Sequence, residues 1–207
     1  MTSKILVATR NRGKQREILS ILSDLPYDIV FPDDLGISET PKEQGLETAE
    51  TFEGNALLKA EYFLKRSGLP TAADDSGIEV MALGGIPGVR SRRFALAGPG
   101  EDEDLANNNE LLKRLAGAPK EKRQARYRCS VVFLKGKGAL PRMFEGECHG
   151  SIANEPSGSN GFGYDPLFIS NELGLTFGEA DPKDKDEISH RGRAFRKFAE
   201  WLEKHPI

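Results

Sequence analysis

The order of elements readable in the sequence predicts an α/β fold with a mixed sheet. Three observations carry this. Short apolar runs alternate with stretches of helical periodicity in the first half, two alternating stretches flank a glycine turn in the second half, and no internal repeat or low-complexity tract interrupts the 207 residues. The length suits one domain over residues 1–207 with a sizeable core, and long polar loops between the elements suggest a cleft.

The elements follow in order. Lys4–Thr9 reads as a buried strand and Lys14–Leu22 as a helix with Ile18, Leu19, Ile21 and Leu22 on its apolar side. Tyr27–Phe31 is a second strand, and Pro32 to Thr51 an acidic, turn-rich loop. Thr51–Ser67 is helical, since Ala56, Ala60, Phe63 and Leu64 recur at helical spacing and Gly68 follows as a stop. Thr71–Asp74 and Ile78–Met81 read as strand pieces, after which GGIPGVRSRRF breaks regular structure. Glu101–Leu115 is helical, Arg126–Lys135 and Met143–Ser151 form a hairpin around GKG, and NEPSGSNGFGYDP is a glycine-rich loop. Ser189–Lys204 is the closing helix, with Ser189 as its N-cap.

Composition narrows the function. Lys+Arg 29 against Asp+Glu 32 is slightly acidic, which argues against general nucleic-acid or membrane-surface binding. The start MTSKILVATR has too short an apolar run for a signal peptide or a membrane span. The two cysteines, Cys129 and Cys148, lie in no metal-ligand spacing and read as buried thiols of a reducing cytoplasm, with a disulfide as the unsupported alternative. Three histidines leave little material for a zinc site.

Against this balance, ATRNRGKQREIL is a local concentration of cations: Arg10, Arg12, Lys14 and Arg16 directly after a buried strand. A strand, a tight glycine turn and a helix start present backbone N–H groups and a positive dipole end to an anion. Gly13 allows close approach, Lys14 adds a mobile charge, and Thr9 and Asn11 add hydrogen-bonding capacity. Cations at a helix N-terminus oppose its dipole, which favours a bound phosphate over a merely solvated basic turn. It is not a Walker A loop, because Gln15 follows the lysine and Ala8 stands at the first glycine position, so any Mg²⁺ must be held by carboxylates elsewhere.

Carboxylates occur in GLETAETFEGNALLKA, with Glu47, Glu50 and Glu53 ahead of Asn55 and Lys59, and in TAADDSGIEV, with Asp74 and Asp75 before Ser76. Acidic residues at the C-terminal end of a strand point to the ligand crevice of an α/β sheet. Side chains alternate along a strand, so Asp74 and Asp75 do not both face one ligand. The plain alternative is an Asx turn at Asp75-Ser76-Gly77 beside a solvated acidic helix start. At the other end of the chain, SGSNGFGYDPLF offers Phe162 to lie on a purine and Asp165 to read ring N–H groups, with core filling by Phe162 as the competitor. KDEISHRGRAF puts His190 and Arg191 in the first turn of a helix as donors, with Lys185 just upstream.

With these residues assembled, the chain resembles the inosine triphosphate pyrophosphatase family, the XTP/dITP pyrophosphatases, nearly end to end. The likeness rests on T-R-N-R-G-K at Thr9–Lys14, F-E-G-N-A-L-L-K-A from Phe52, A-D-D-S-G from Ala73, G-F-G-Y-D-P at Gly161–Pro166 and I-S-H-R-G from Ile188. Relatives usually have a small residue or asparagine at the position of Arg10, and read differently at Arg90–Arg93 and in LAGPGEDED.

The resemblance implies an elongated mixed β-sheet flanked by helices, with two lobes and a central nucleotide cleft. It implies Mg²⁺-dependent hydrolysis of non-standard purine nucleoside triphosphates (ITP, dITP, XTP) to monophosphate and pyrophosphate, in a cytoplasmic homodimer that clears the nucleotide pool. By motif position, Thr9, Arg10, Asn11, Arg12, Gly13 and Lys14 bind phosphates and Lys59 assists. Glu47 and Asp75 bind the metal, and Asp75 is the catalytic proton acceptor. Ser76 contacts substrate, while Phe162, Gly163, Tyr164, Asp165, Lys185, His190 and Arg191 hold the nucleotide, chiefly its base. A Maf-type pyrophosphatase is the enzyme alternative, which the SHR and FGYD segments disfavour. A single-strand nucleic-acid binder is the alternative from another class, which the acidic loop of residues 39 to 53 contradicts.

Overall fold

The computed structural model describes residues 3–98 and 100–207, with the backbone alone at Gln44. Pro99, within the LAGPGEDED segment, lies outside the described residues, as do Met1 and Thr2. The fold is a mixed α/β structure. Strands β1 (Lys4–Val7), β2 (Asp28–Val30), β3 (Thr71–Val80), β4 (Gln124–Leu134), β5 (Arg142–Ile152) and β6 (Phe168–Ser170) form one six-stranded sheet in the order β2-β1-β3-β4-β5-β6. β1 pairs in parallel with β2 and β3, and β5 pairs antiparallel with β6, so the sheet is mixed as expected.

The helices are α1 (Arg12–Ile21), α2 (Pro41–Gln44), α3 (Phe52–Ser67), α4 (Glu103–Arg114), α5 (Pro182–Ile188) and α6 (His190–Lys204). Local chemistry sets their ends. Thr51 accepts the Gly54 amide at the start of α3, Gly68 closes it, and Asp102 accepts the Asp104 and Leu105 amides at the start of α4. Ser189, extended between α5 and α6, occupies the position ahead of His190.

Several expectations are corrected. The two strand pieces around Ser76-Gly77 are one continuous ten-residue strand, so the Asx turn does not form and the carboxylates stand in mid-strand. The acidic loop contains a 3-10 turn at Asp33–Leu35 and the single-turn α2, which Thr40 caps. Leu19 is exposed, and α1 buries Ile18 with Leu22 just beyond its end. β6 and α5 are additions: the first is too short for a periodic signal, and the second is capped by Asp181 with Pro182 in its first turn, in a stretch with few apolar residues.

The chain divides into two compact units, and the division falls inside β3, β4 and β5 and at the start of α6. The first unit holds residues 1–75, 129–146 and 191–207. Alternation along its strands builds two cores. Ile5, Val7, Ala72, Cys129, Val131 and Phe133 pack with Ile18 and Leu22 and with Phe195, Phe198 and Leu202 of α6. Leu6, Ala8, Ala73, Val132 and Leu134 pack with Ala56, Ala60 and Phe63 of α3. The second unit, residues 76–128 and 147–190, has its own core of Ile78, Val80, Leu111, Leu115, Tyr127, Cys148, Leu167, Phe168 and Phe177. Both cysteines are buried free thiols.

Candidate active site

In the first unit the cation turn is the start of α1. Asn11 is the N-cap, its Oδ1 accepting the Lys14 amide at 3.0 Å, and Thr9 Oγ1 accepts the Asn11 amide at 3.2 Å. No acidic side chain stands in the first turn of α1, so no carboxylate of that turn offsets the positive end of the helix. Arg12 is exposed, whereas Lys14 reaches the sheet, with Nζ 2.8 Å from Asp74 Oδ2.

The two core faces explain the two aspartates. Asp74 follows the register of Ala72 and lies on the α1/α6 face, where Lys14 and Arg191 Nε (3.4 Å) both donate to its Oδ2. Arg191 also pairs with Glu17 of α1. Burial pushes the Asp74 carboxyl up, but Lys14 and Arg191 outweigh it and hold the group well below the usual carboxylate range. Asp74 Oδ1 is buried and accepts no hydrogen bond among the described residues. Arg191 is itself buried and is held more firmly protonated, the Glu17 and Asp74 charges overcoming its desolvation. Sequence reading placed Arg191 with the base; the structure turns its guanidinium to Glu17 and Asp74.

Asp75 follows Ala73 and lies on the α3 face. Asn55 Nδ2 donates to its Oδ2 at 3.0 Å, and Lys59 Nζ is 3.4 Å from its Oδ1. Lys59 Nζ is also 2.9 Å from Glu47 Oε1, so one ammonium faces both carboxylates. Burial raises the Asp75 carboxyl above its ordinary range; Lys59 and Lys14 oppose this, and Glu47 adds to it. Burial would lower the Lys59 ammonium, yet Asp75 and Glu47 keep it raised.

Glu47 and Asp75 converge on one cation position, as a divalent cation shared between two carboxylates requires. Among the described residues no group of three or more His, Cys, Asp or Glu could hold a metal. Mg²⁺ keeps several waters and takes substrate phosphates as ligands, so two carboxylates fit it and a full protein cage is not needed.

Asn55, to which sequence reasoning gave no role, joins this cluster. It is buried, and its Oδ1 accepts the Ala49 amide at 2.8 Å, so one side chain orders both Asp75 and the segment carrying Glu47. The available signal was its place one turn ahead of Lys59 on the same side of α3. Gly54 belongs to the same arrangement, because a Cβ there would lie 2.6 Å from the Ala49 Cβ.

In the second unit the glycine-rich loop surrounds a buried ion pair. Lys185 Nζ is 2.5 Å from Asp165 Oδ2, which also accepts the Phe162 amide at 2.8 Å, and Tyr127 Oη is 3.4 Å from Oδ1. Gly161 has φ +75° and a Cβ there would lie 2.0 Å from Asp165 Oδ2, so this position is glycine because a carboxylate packs over it. Lys185 lies over the Phe162 ring at 5.1 Å. Tyr164 is buried, donating to the Ser91 carbonyl at 2.8 Å, and burial raises its phenol. The Gly163 amide donates to Asp104, and its carbonyl accepts from Asn108. His190 stacks on Tyr127 with ring centroids 4.4 Å apart, a partner that no sequence signal marked. Ser76 is partly exposed on β3.

Comparison with known proteins places the chain. The Ham1 family profile matches residues 5–201. A dITP/XTP pyrophosphatase of Haemophilus influenzae is 47% identical over 196 residues, 94% of this chain and 96% of that protein. One of Bacillus licheniformis is 42% identical over 202 residues, 97% of this chain and 98% of its own length. Among solved structures, a HAM1 protein from Coxiella burnetii superposes with a TM-score of 0.85 at 34% identity, covering 98% of this chain and 100% of that one. With profile, relatives and fold in agreement over nearly the whole length, the chain belongs to the Ham1 family.

Proposed function

We propose that this protein hydrolyses non-standard purine nucleoside triphosphates, ITP, dITP and XTP, between the α- and β-phosphorus, releasing the monophosphate and pyrophosphate. The enzyme class, a nucleoside triphosphate pyrophosphatase, follows from the family. The observation that carries the chemistry is the Lys59 ammonium shared by Glu47 and Asp75, beside the start of a helix with no acid in its first turn.

The residues have the following parts. The α1 start, with Thr9, Asn11, Gly13 and Lys14, binds the phosphate chain through amide and ammonium donors. Glu47 and Asp75 hold Mg²⁺, which when bound supplies neutralisation of charge at the phosphates. Asp75 accepts the proton of the attacking water as the water oxygen bonds to the α-phosphorus. The bond to the α,β-bridging oxygen breaks, and pyrophosphate leaves with that oxygen. Lys59 offsets the accumulating negative charge, and positioning carries most of the rate. Phe162 and Lys185 form the base contacts, and His190, held flat by Tyr127, donates to a 6-oxo group. Adenine would present an amino group there and leave a donor unpaired, which disfavours ATP by orders of magnitude.

The homodimer and cytoplasmic location implied by the family resemblance belong to the same proposal. Among the described residues no helix is long and apolar enough to cross a membrane.

Product analysis tests the reading. The protein is incubated with ITP, XTP, GTP and ATP in Mg²⁺, and pyrophosphate is scored separately from orthophosphate. Pyrophosphate from ITP and XTP is expected. Orthophosphate would move cleavage to the terminal phosphate and overturn the mechanism.

A further inference from the structure

Arg10 stands inside the phosphate-loop motif, yet its guanidinium is already engaged. Nε donates to Glu43 Oε1 at 2.6 Å and Nη2 to Glu43 Oε2 at 3.1 Å, a two-pronged grip on one carboxylate. Nη2 also donates to the Ile37 carbonyl at 2.7 Å, and Nη1 pairs with Asp33. A guanidinium has five N–H donors, and these four bonds use four of them. Its charge faces two carboxylates on a side chain only 20% exposed. One Nη1 hydrogen is left over, so a two-pronged grip on a phosphate would have to displace an acid from the same group.

All of these partners lie in residues 33–43, immediately before the segment that carries Glu47. The chain is pinned again at Ala49, whose amide donates to Asn55. Between the pins, Leu46 N–H donates to the Glu43 carbonyl at 3.2 Å, and the Glu47 carboxylate reaches Lys59. Thr40, which caps α2, is tied to Tyr62 of α3 at 2.8 Å. Glu47 therefore sits on a short strap with Arg10 at its upstream end and Asn55 at its downstream end.

We infer that Arg10 is a positioning residue: it fastens the strap that presents Glu47 and contributes no phosphate contact. This deepens the proposed function, because it rests on Glu47 being a metal ligand. It also separates Arg10 from Lys14, four residues away in the same motif, whose three-donor ammonium bonds the Asp74 carboxylate and keeps donors for a phosphate.

The test uses the full chain with Arg10→Ala, Arg10→Lys and Glu43→Gln. Amide hydrogen exchange over residues 46–49 is followed without metal or nucleotide, and affinity for an α,β-imido ITP analogue is measured in EDTA. Fastening predicts exchange faster by about tenfold in all three variants, with α1 unchanged. Analogue affinity then stays within about twofold of the parent. Unchanged exchange, or a tenfold loss of analogue affinity in Arg10→Ala, overturns the inference. Mn²⁺ titrated into the analogue complex of Glu47→Gln separates the two readings. Parent-like Mn²⁺ affinity there removes Glu47 as metal ligand, whereas lost affinity with unchanged strap exchange in Arg10→Ala removes Arg10 alone.

Discussion

Asp74 and Asp75 are adjacent on β3, yet Asp74 binds Lys14 and Arg191 while Asp75 binds Asn55 and Lys59. Strand alternation sends one carboxylate to the α1/α6 face and the other to the α3 face. Their environments differ in sign as well: the Asp74 carboxyl is held down and the Asp75 carboxyl is raised.

Asp75→Asn should reduce pyrophosphate release by at least about a thousandfold, the scale of losing a general base. A carboxyl whose native affinity for protons is raised loses stability as pH rises from the usual aspartate range through its native value. Metal-free Asp75→Asn should therefore melt above the parent at pH 7 in EDTA, with the difference vanishing in acid. Thermal unfolding at both pH values checks this; a variant that melts lower at pH 7 contradicts the raised carboxyl.

For Asp74 the sign reverses. Its stabilisation is present above the usual aspartate range and disappears as pH falls below it. Asp74→Ala leaves Lys14 and Arg191 without their shared carboxylate and should cost about 3–5 kcal/mol at pH 7. Urea unfolding at pH 7 and in acid should show the gap between parent and variant closing.

Asn55→Ala removes an amide that touches Asp75 and the Glu47 strap together. Outer residues of this kind typically change metal affinity or activity by about 10–100-fold. A fall in kcat with little change in KM is expected, together with a higher Mg²⁺ requirement. A change confined to KM would place Asn55 with substrate instead.

Lys185 and Asp165 form a pair that is buried on both sides. Lys185→Met leaves a buried carboxylate and should destabilise by about 3–5 kcal/mol. Adding Asp165→Asn should recover most of that loss in denaturant titrations. Full stability of Lys185→Met would assign the lysine to substrate alone.

Tyr127→Leu removes the stack under His190, an aromatic contact of about 0.5–1.5 kcal/mol. KM for ITP should rise up to about tenfold while kcat changes little, and Tyr127→Phe should restore it. Equal behaviour of the two variants would show that the hydroxyl near Asp165 matters more than the ring.

Much of this protein was legible from sequence for local reasons. The 3.6-residue period of Ala56, Ala60 and Phe63 marked α3, Thr51 and Gly68 bounded it, and the apolar run followed by helical periodicity in residues 4–22 marked β1 and α1. The alternation rule alone separated Asp74 from Asp75. Sequence could not name the partners, because each lies far along the chain: Lys14 is 60 residues from Asp74, and Arg191 is 117. Only packing of α1 and α6 on one face of the sheet and α3 on the other decided which cation meets which carboxylate. The same holds for Arg10, which shares a motif with Lys14 but is claimed by Glu43, 33 residues downstream. A motif specifies donors and acceptors; the tertiary fold decides which of them are already spent on one another.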